Sequence, residues 1–422
     1  MDGARLFLFE AVIPTGIIGA GWEVLMAKCV LAFSGGLDTL VAISWLKERR
    51  NLDVIALAIN LGQGEDLEEL GEIALRAGAY SARVEDLRDS FFKDFISPAL
   101  KALAHYEQQY LLASALSRPL IARELVRVAT EEGATHVAHG CSAKGNDQIR
   151  FETGISALAP HLKIVAPLRE WEYKNREQRI EYAKAKRLPQ PLKRPTGHRI
   201  GYDLNLWGQS IECGLLEDAS QPPPEDAYTL SVSPMNAPNE PAEVEIEFRE
   251  GVPAGLNGKR MTPVDLIEEL NKVAGAHGIG RSDIIEDRLI GFKSREVYEA
   301  PAATTLYAAK RGLEQMTLSR ESLQVREGLA VAYGRAVYNG QWFSDLREAL
   351  DAFYDRINKN ISGKVRVRLY KGQATVIARQ SDFSLYVSGA AAGREQLDNE
   401  AAEGFIKIWT LPLTAEAKRK KK

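Results

Sequence analysis

The sequence predicts an α/β protein, with a parallel-sheet domain over residues 26–190 and an α+β domain over residues 191–385. Three observations carry that reading. Short apolar runs alternate with helically spaced apolar residues through the first part of the chain. A Ser-Gly-Gly turn joins the first run to the first helical stretch. Past residue 190 the pattern becomes strict apolar–polar alternation broken by proline-rich segments. Strands alternating with helices form βαβ units and a parallel sheet.

Residues 28–33 form the first buried strand, and Leu40, Ile43 and Leu46 follow at helical spacing. Residues 54–59 are a second strand, and 66–77 a helix that ends near Gly78. A helix over 120–131 stops at Gly133, and 137–138 and 163–168 read as strands. Residues 190–195 are a basic, proline-rich linker; 221–226 and 233–241 are further breaks. Val244, Ile246 and Phe248 share one face of a strand. Thr262 caps a helix with Pro263 in its first turn and Leu266, Ile267, Leu270 and Val273 inward. Residues 365–369 and 374–378 form a hairpin turning at Lys371 and Gly372.

The chain has 422 residues, enough for two or three domains at roughly 100–200 residues each. Lys+Arg 54 against Asp+Glu 57 gives a net charge of -3, which argues against a nucleic-acid partner. Cys29, Cys141 and Cys213 are far apart and form no CxxC pair. They predict neither a disulfide framework nor a zinc finger, and a cytoplasmic location fits. Glu10, Pro14 and Glu23 interrupt the apolar N-terminus, so no membrane partner is expected. Residues 1–25 read as a dispensable extension, with Met26 a second candidate start.

The strongest local signal is Leu31-Ala-Phe-Ser-Gly-Gly-Leu-Asp-Thr39. Gly35 and Gly36 let the backbone turn sharply with no Cβ facing a ligand. The N–H groups freed at the helix start, with the positive end of its dipole, make an anion site. Ser34 and Thr39 add hydroxyl donors. Asp38 beside a phosphate makes sense where it helps hold a metal ion or orients the loop. The lysine of a Walker A loop is absent.

The second constellation is His139-Gly-Cys-Ser-Ala-Lys-Gly-Asn-Asp-Gln-Ile-Arg-Phe-Glu152. It follows a strand, and loops at the C-terminal ends of parallel strands bind ligands. Ser142, Lys144, Asn146, Asp147, Gln148 and Arg150 crowd into it, more hydrogen-bonding capacity than a connector needs.

Together these loops resemble those of the argininosuccinate synthase family, which has SGGLDT after its first strand and a later TGKGNDQVRFE string. The likeness continues at residues 60–64, 110–112, 118–122, 205–208, 210–214, 283–286, 293–295, 298–299 and 403–408. It implies a PP-loop fold of the adenine nucleotide alpha hydrolase type, then a synthetase domain and a C-terminal oligomerisation segment over 386–422. It implies ATP and Mg2+, with the metal ligands unassigned, and ligation of citrulline to aspartate through a citrullyl-AMP intermediate. The product would be argininosuccinate, and the assembly a homotetramer.

By the same resemblance Ala32, Phe33, Ser34, Gly35, Gly36, Leu37, Asp38, Thr39, Leu40, Ile59 and Gly140 would bind ATP. Tyr110, Asn146, Arg150, Ser210, Glu286 and Tyr298 would hold citrulline; Ser142, Asn146 and Asp147 would hold aspartate. Asp38, Asn146, Asp147 and Arg150 are the expected catalytic set.

Some positions depart from the family pattern. Leu40 replaces a serine, so restoring Ser should tighten ATP binding. Ala115 and Gly201 replace serines on the citrulline side. Ala143 replaces a glycine, Ser142 a threonine, and Ile59 a smaller residue. Three readings stand at this point: an ordinary synthase, a paralogue joining aspartate to a different ureido acceptor, and a non-catalytic nucleotide-binding paralogue. A tRNA-thiolating enzyme is disfavoured, because it would want paired cysteines and a basic surface.

Overall fold

The computed structural model describes residues 6–10, 26–143, 145–191, 201–386 and 398–420. Lys144, residues 192–195 of the basic linker, and residues 1–5 and 11–25 of the extension lie outside them, as do residues 387–397 and 421–422.

The first sheet contains β1 (Leu6–Glu10), β2 (Ala27–Ala32), β3 (Leu52–Asn60), β4 (Ser81–Asp86), β5 (His136–Ala138) and β6 (Lys163–Val165). Their order is β1-β4-β3-β2-β5-β6. Strands β2 to β6 pair in parallel. Helices cover both faces, so the strands are buried on both sides. Cys29, Leu31, Val54 and Ala56 pack toward the Leu37–Arg50 and Leu67–Arg76 helices. Val30, Ile55 and Leu57 pack toward the Ala113–Glu131 helix. From β2 the chain moves outward to β3 and β4, then returns to β5 on the other side. That reversal opens a crevice flanked by the loops after β2 and β5, where such sheets bind ligands.

Three local expectations change. Residues 6–10 pair antiparallel with β4, Leu6 opposite Glu85 and Glu10 opposite Ser81. Part of the extension therefore completes the open hydrogen-bonding edge of the sheet. The strand expected at 163–168 ends at Val165, and Pro167–Glu170 forms a helical turn instead. Proline at the first helical position loses no hydrogen bond. The helix expected from residue 120 starts at Ala113, with Pro119 inside it.

The second half contains β7 (Gly201–Asn205), β8 (Gly208–Glu212), β9 (Ala242–Arg249), β10 (Val252–Leu256), β11 (Lys259–Arg260), β12 (Arg281–Asp287), β13 (Lys293–Glu299), β14 (Gly363–Tyr370) and β15 (Gln373–Gln380). Two antiparallel sheets result, β12-β13-β8-β7 and β11-β10-β9-β14-β15. Val244, Ile246 and Phe248 are buried as their alternation requires. Thr262 Oγ1 accepts the Asp265 N–H at 3.2 Å, capping the Pro263–Ala276 helix. Lys371 and Gly372 both have positive φ, 42° and 88°, the tight hairpin turn that suits strand twist. The Arg320–Tyr338 helix ends with Tyr338 beside the loop that follows β5.

Candidate active site

The phosphate loop lies where β2 gives way to the Leu37–Arg50 helix. Gly35 takes a φ of 67°, which costs a glycine nothing. Thr39 Oγ1 donates to the Gly36 carbonyl at 3.1 Å and lies 3.4 Å from Ser34 Oγ. Gly140 backs onto this loop: a Cβ there would stand 2.9 Å from Thr39 Cγ2. Asp38 faces away from the cavity and ion-pairs with Arg179 at 3.0 Å, tying the loop to the Arg176–Ala185 helix. Burial pushes the Asp38 carboxyl up, with Arg179 and Arg176 opposing.

The Asp147–Leu158 helix follows the β5 loop and opens on Asp147. One Asp147 oxygen takes Arg118 Nη2 at 2.8 Å, the other Arg150 Nη1 at 2.8 Å. Burial raises this carboxyl, but the two guanidiniums outweigh it and hold it at about 2. Arg118 also reaches Asp203 at 2.5 Å. Arg150 Nε donates to the Tyr338 carbonyl at 2.9 Å. Asn146 Nδ2 donates to the Tyr338 hydroxyl at 2.7 Å, while its Oδ1 accepts the Leu289 N–H at 3.0 Å.

Strand alternation builds the opposite wall. Glu286 pairs with Ser294, Tyr298 with Ser210, Ser210 with Asp203, and Glu212 with Gly201. Directly opposed residues share a face, so one face of the β12-β13-β8-β7 sheet carries Glu286, Glu296, Tyr298, Ser210, Glu212 and Asp203. Glu286 is buried and accepts from the Tyr298 hydroxyl at 2.6 Å and the Tyr338 hydroxyl at 2.5 Å. Burial raises its carboxyl, opposed by those two hydrogen bonds. Among the described residues no cation lies within ion-pairing distance of it. Tyr110 stacks on Tyr298 at 4.1 Å, and its hydroxyl accepts the N–H groups of Ser114 and Ala115 at 3.1 and 3.2 Å.

These walls enclose one cavity of about 1150 Å3. It is lined by Ala32, Phe33, Ser34, Thr39, Ile59 and Gly140 on the phosphate side. Tyr110, Asn146, Asp147, Arg150, Ser210, Glu286 and Tyr298 line the other side.

Residues 28–189 match the family described as the arginosuccinate synthase N-terminal HUP domain, and residues 201–416 its C-terminal domain. The chain belongs to the argininosuccinate synthase family. An argininosuccinate synthase of Synechococcus is 51% identical over 388 residues, 91% of this chain and 96% of its own. Those of Chlorobium luteolum and Pelotomaculum thermopropionicum are each 49% identical, covering 92% and 94% of this chain and 96% and 99% of theirs.

Several residues expected at the ligands stand elsewhere. Leu37 and Leu40 are buried in the apolar core beneath the sheet, Leu40 only 1% exposed, and neither lines the cavity. Helical periodicity sends their side chains inward. Gly35, Gly36 and Asp38 shape the loop without lining the cavity. Ser142 is exposed and also off the cavity wall. Ala143 has no positive φ, so a glycine is not required there. Ala115 is fully buried and serves through its N–H, while Ser114 beside it lines the cavity and contacts Ser210 Oγ at 2.7 Å.

Arg118, Asp203, Glu212, Glu296 and Tyr338 were missed as site residues. Arg118 lay within a matched string and carried a signal. Tyr338 carried none, because it closes on Asn146 from 192 residues away. Among the described residues no group of three or more His, Cys, Asp or Glu is arranged to hold a metal. The three cysteines are unpaired, and burial pushes each thiol up, Cys213 to about 11, which suits none of them to nucleophilic work.

Proposed function

We propose that the chain is an ATP-dependent carbon–nitrogen ligase that joins citrulline to aspartate, giving argininosuccinate, AMP and pyrophosphate. One observation carries this reading. A single cavity joins the phosphate loop to a buried carboxylate–tyrosine cluster and to an aspartate clamped by two arginines. Nucleotide, acceptor and amine would meet inside it. Full-length relatives at about half identity favour the ordinary acceptor. So does Ser114, whose hydroxyl offsets the loss at Ala115.

The residues divide the chemistry between them. Ser34, Thr39 and the helix N-terminus would hold the phosphates. Glu286 would take the citrulline ammonium, and Arg150 its carboxylate. The ureido oxygen then attacks the α-phosphorus and pyrophosphate leaves. The aspartate amine attacks the activated ureido carbon and AMP leaves with the oxygen. Asp147, held near pH 2, is too acidic to take a proton at neutral pH, so it orients the amine. The rate gain is chiefly proximity and charge placement.

Mg2+ fits this donor set as a companion of the phosphates, since it usually takes few protein carboxylates. Ser34 and Thr39 are the residues that would face it, Asp38 being turned to Arg179, and it would offset the charge of the leaving pyrophosphate. A homotetramer is the proposed assembly. The Asn399–Trp409 helix supports it, exposing Phe405, Ile406, Ile408 and Trp409. No helix among the described residues is long and apolar enough to cross a membrane, and a cytoplasmic location is proposed.

The test is incubation of the purified chain with ATP, Mg2+, aspartate and either citrulline or other ureido compounds. Argininosuccinate and pyrophosphate in equal amounts are expected with citrulline. Turnover only with another ureido acceptor, or with none, overturns the reading.

A further inference from the structure

One charged group in the cavity has no task in this chemistry. Arg288 lines the acceptor side together with Glu286 and Tyr298. A bare guanidinium there would be a ready second receptor for carboxylate. It is not bare. Its Nη2 meets Glu212 Oε2 at 2.5 Å and also contacts Glu296 Oε1. Glu296 Oε1 takes the Ser294 hydroxyl at 3.0 Å as well. Glu212 and Glu296 share the sheet face that carries Glu286: Glu296 lies on β13 two residues beyond Ser294, which pairs with Glu286, and Glu212 lies on β8, one strand further.

We propose that Glu212 and Glu296 set acceptor specificity: by neutralising Arg288 they admit a ureido amino acid with one carboxylate and reject one bearing a second anionic group at its amino-acid end. The proposal rests on the citrulline reading of the cavity. A neutralised arginine offers the extra anion no countercharge, so that group would lose its water without a compensating partner.

Proton sharing sharpens the test. Burial, then the charge of Glu212, raises the Glu296 carboxyl to about 8 despite Arg288. The readiness of Glu296 to hold its proton relieves its repulsion with Glu212 while both stay on Arg288. Removing either acid leaves the other to balance Arg288. Removing both takes these two carboxylates from Arg288 and makes that part of the cavity wall more positive.

The experiment compares wild type with the Glu212→Gln, Glu296→Gln double variant. The probes are citrulline acetylated or succinylated on its α-amino group. Both lack the ammonium, and only the second adds a carboxylate. Binding is read by calorimetry and by inhibition of citrulline-dependent pyrophosphate release. In wild type the succinyl compound should bind at least about tenfold more weakly than the acetyl one. In the double variant the gap should close to within about threefold.

Equal gaps in both proteins overturn the proposal, as does no gap in wild type or no binding of either probe. Glu212→Lys, at a half-exposed position, shifts the charge balance the same way without touching buried Glu296. It should also narrow the gap, so a misfolded double variant does not shelter the idea. Absent turnover of plain citrulline would instead count against the proposed function, while the calorimetric gap is read independently of it.

Discussion

Arg118 Nη2 donates both to the Asp147 carboxylate at 2.8 Å and to the Asp203 carboxylate on β7 at 2.5 Å, while its Nη1 donates to Ser117 Oγ at 3.0 Å. One side chain thereby fixes Asp147 and links the first sheet to the β12-β13-β8-β7 sheet. The planar guanidinium matters, because its second nitrogen anchors it on Ser117 while the first serves both carboxylates, and a lysine ammonium has no such second nitrogen. Arg118→Lys should raise the KM for aspartate about tenfold while moving the citrulline KM much less. Steady-state kinetics with each substrate varied in turn checks this, and an equal rise in both constants would show a merely structural role.

Tyr338 joins the two halves of the site through its hydroxyl. It donates to Glu286 and accepts from Asn146. Tyr338→Phe keeps the ring, which stacks on Tyr106 at 3.5 Å, and removes both bonds. A lost hydrogen bond to a charged group costs about 1.5–3 kcal/mol. The expected result is a fall in kcat/KM for citrulline of about tenfold to a hundredfold with the fold retained. Unchanged kcat/KM in a folded variant would remove Tyr338 from the site.

Glu296 gives a stability prediction with a definite sign. Its carboxyl is raised to about 8 in the folded chain, chiefly by burial and then by Glu212. An acid raised on folding holds its proton in the native state after the unfolded chain has lost it. Between the ordinary carboxyl range and about pH 8, rising pH therefore lowers stability through this group. Glu296→Gln removes that penalty. The difference in Tm between variant and wild type should move in favour of the glutamine as pH rises from about 5 to about 9. A difference independent of pH would contradict it.

Much of the fold and part of the site was legible from local chemistry. The Thr262 cap, the Lys371–Gly372 turn and the phosphate loop each depend on a few adjacent residues, and each stands where its residues put it. The loop after β5 was equally readable because strand-end loops are where such sheets bind ligands. Contacts made across the fold were not readable. Nothing near Tyr338 announces Asn146, and nothing near Glu212 announces Arg288; only strand register and helix packing bring them together. The edge strand at Leu6–Glu10 was obscured because its apolar run could serve several structures, and only the open edge of β4 selects one.

Leu40 shows two sequence signals in conflict. Its place in the phosphate-loop string marks it as a ligand position, while its spacing with Ile43 and Leu46 marks it as core. Periodicity prevails: Leu40 is 1% exposed and packs with Leu31, Val41 and Ala56 in the apolar core. The hydroxyl of a serine there would face carbon, not phosphate, and Thr39 already supplies a hydroxyl at the loop. Leu40→Ser should therefore not tighten ATP binding. It opens a core cavity and buries a polar group, costing about 3–5 kcal/mol. Chemical denaturation should show that loss, and the KM for ATP of the folded enzyme should stay within about twofold of wild type. A tighter KM with undiminished stability would mean that residue 40 faces the nucleotide after all, and that the inward turn of this helix is wrong.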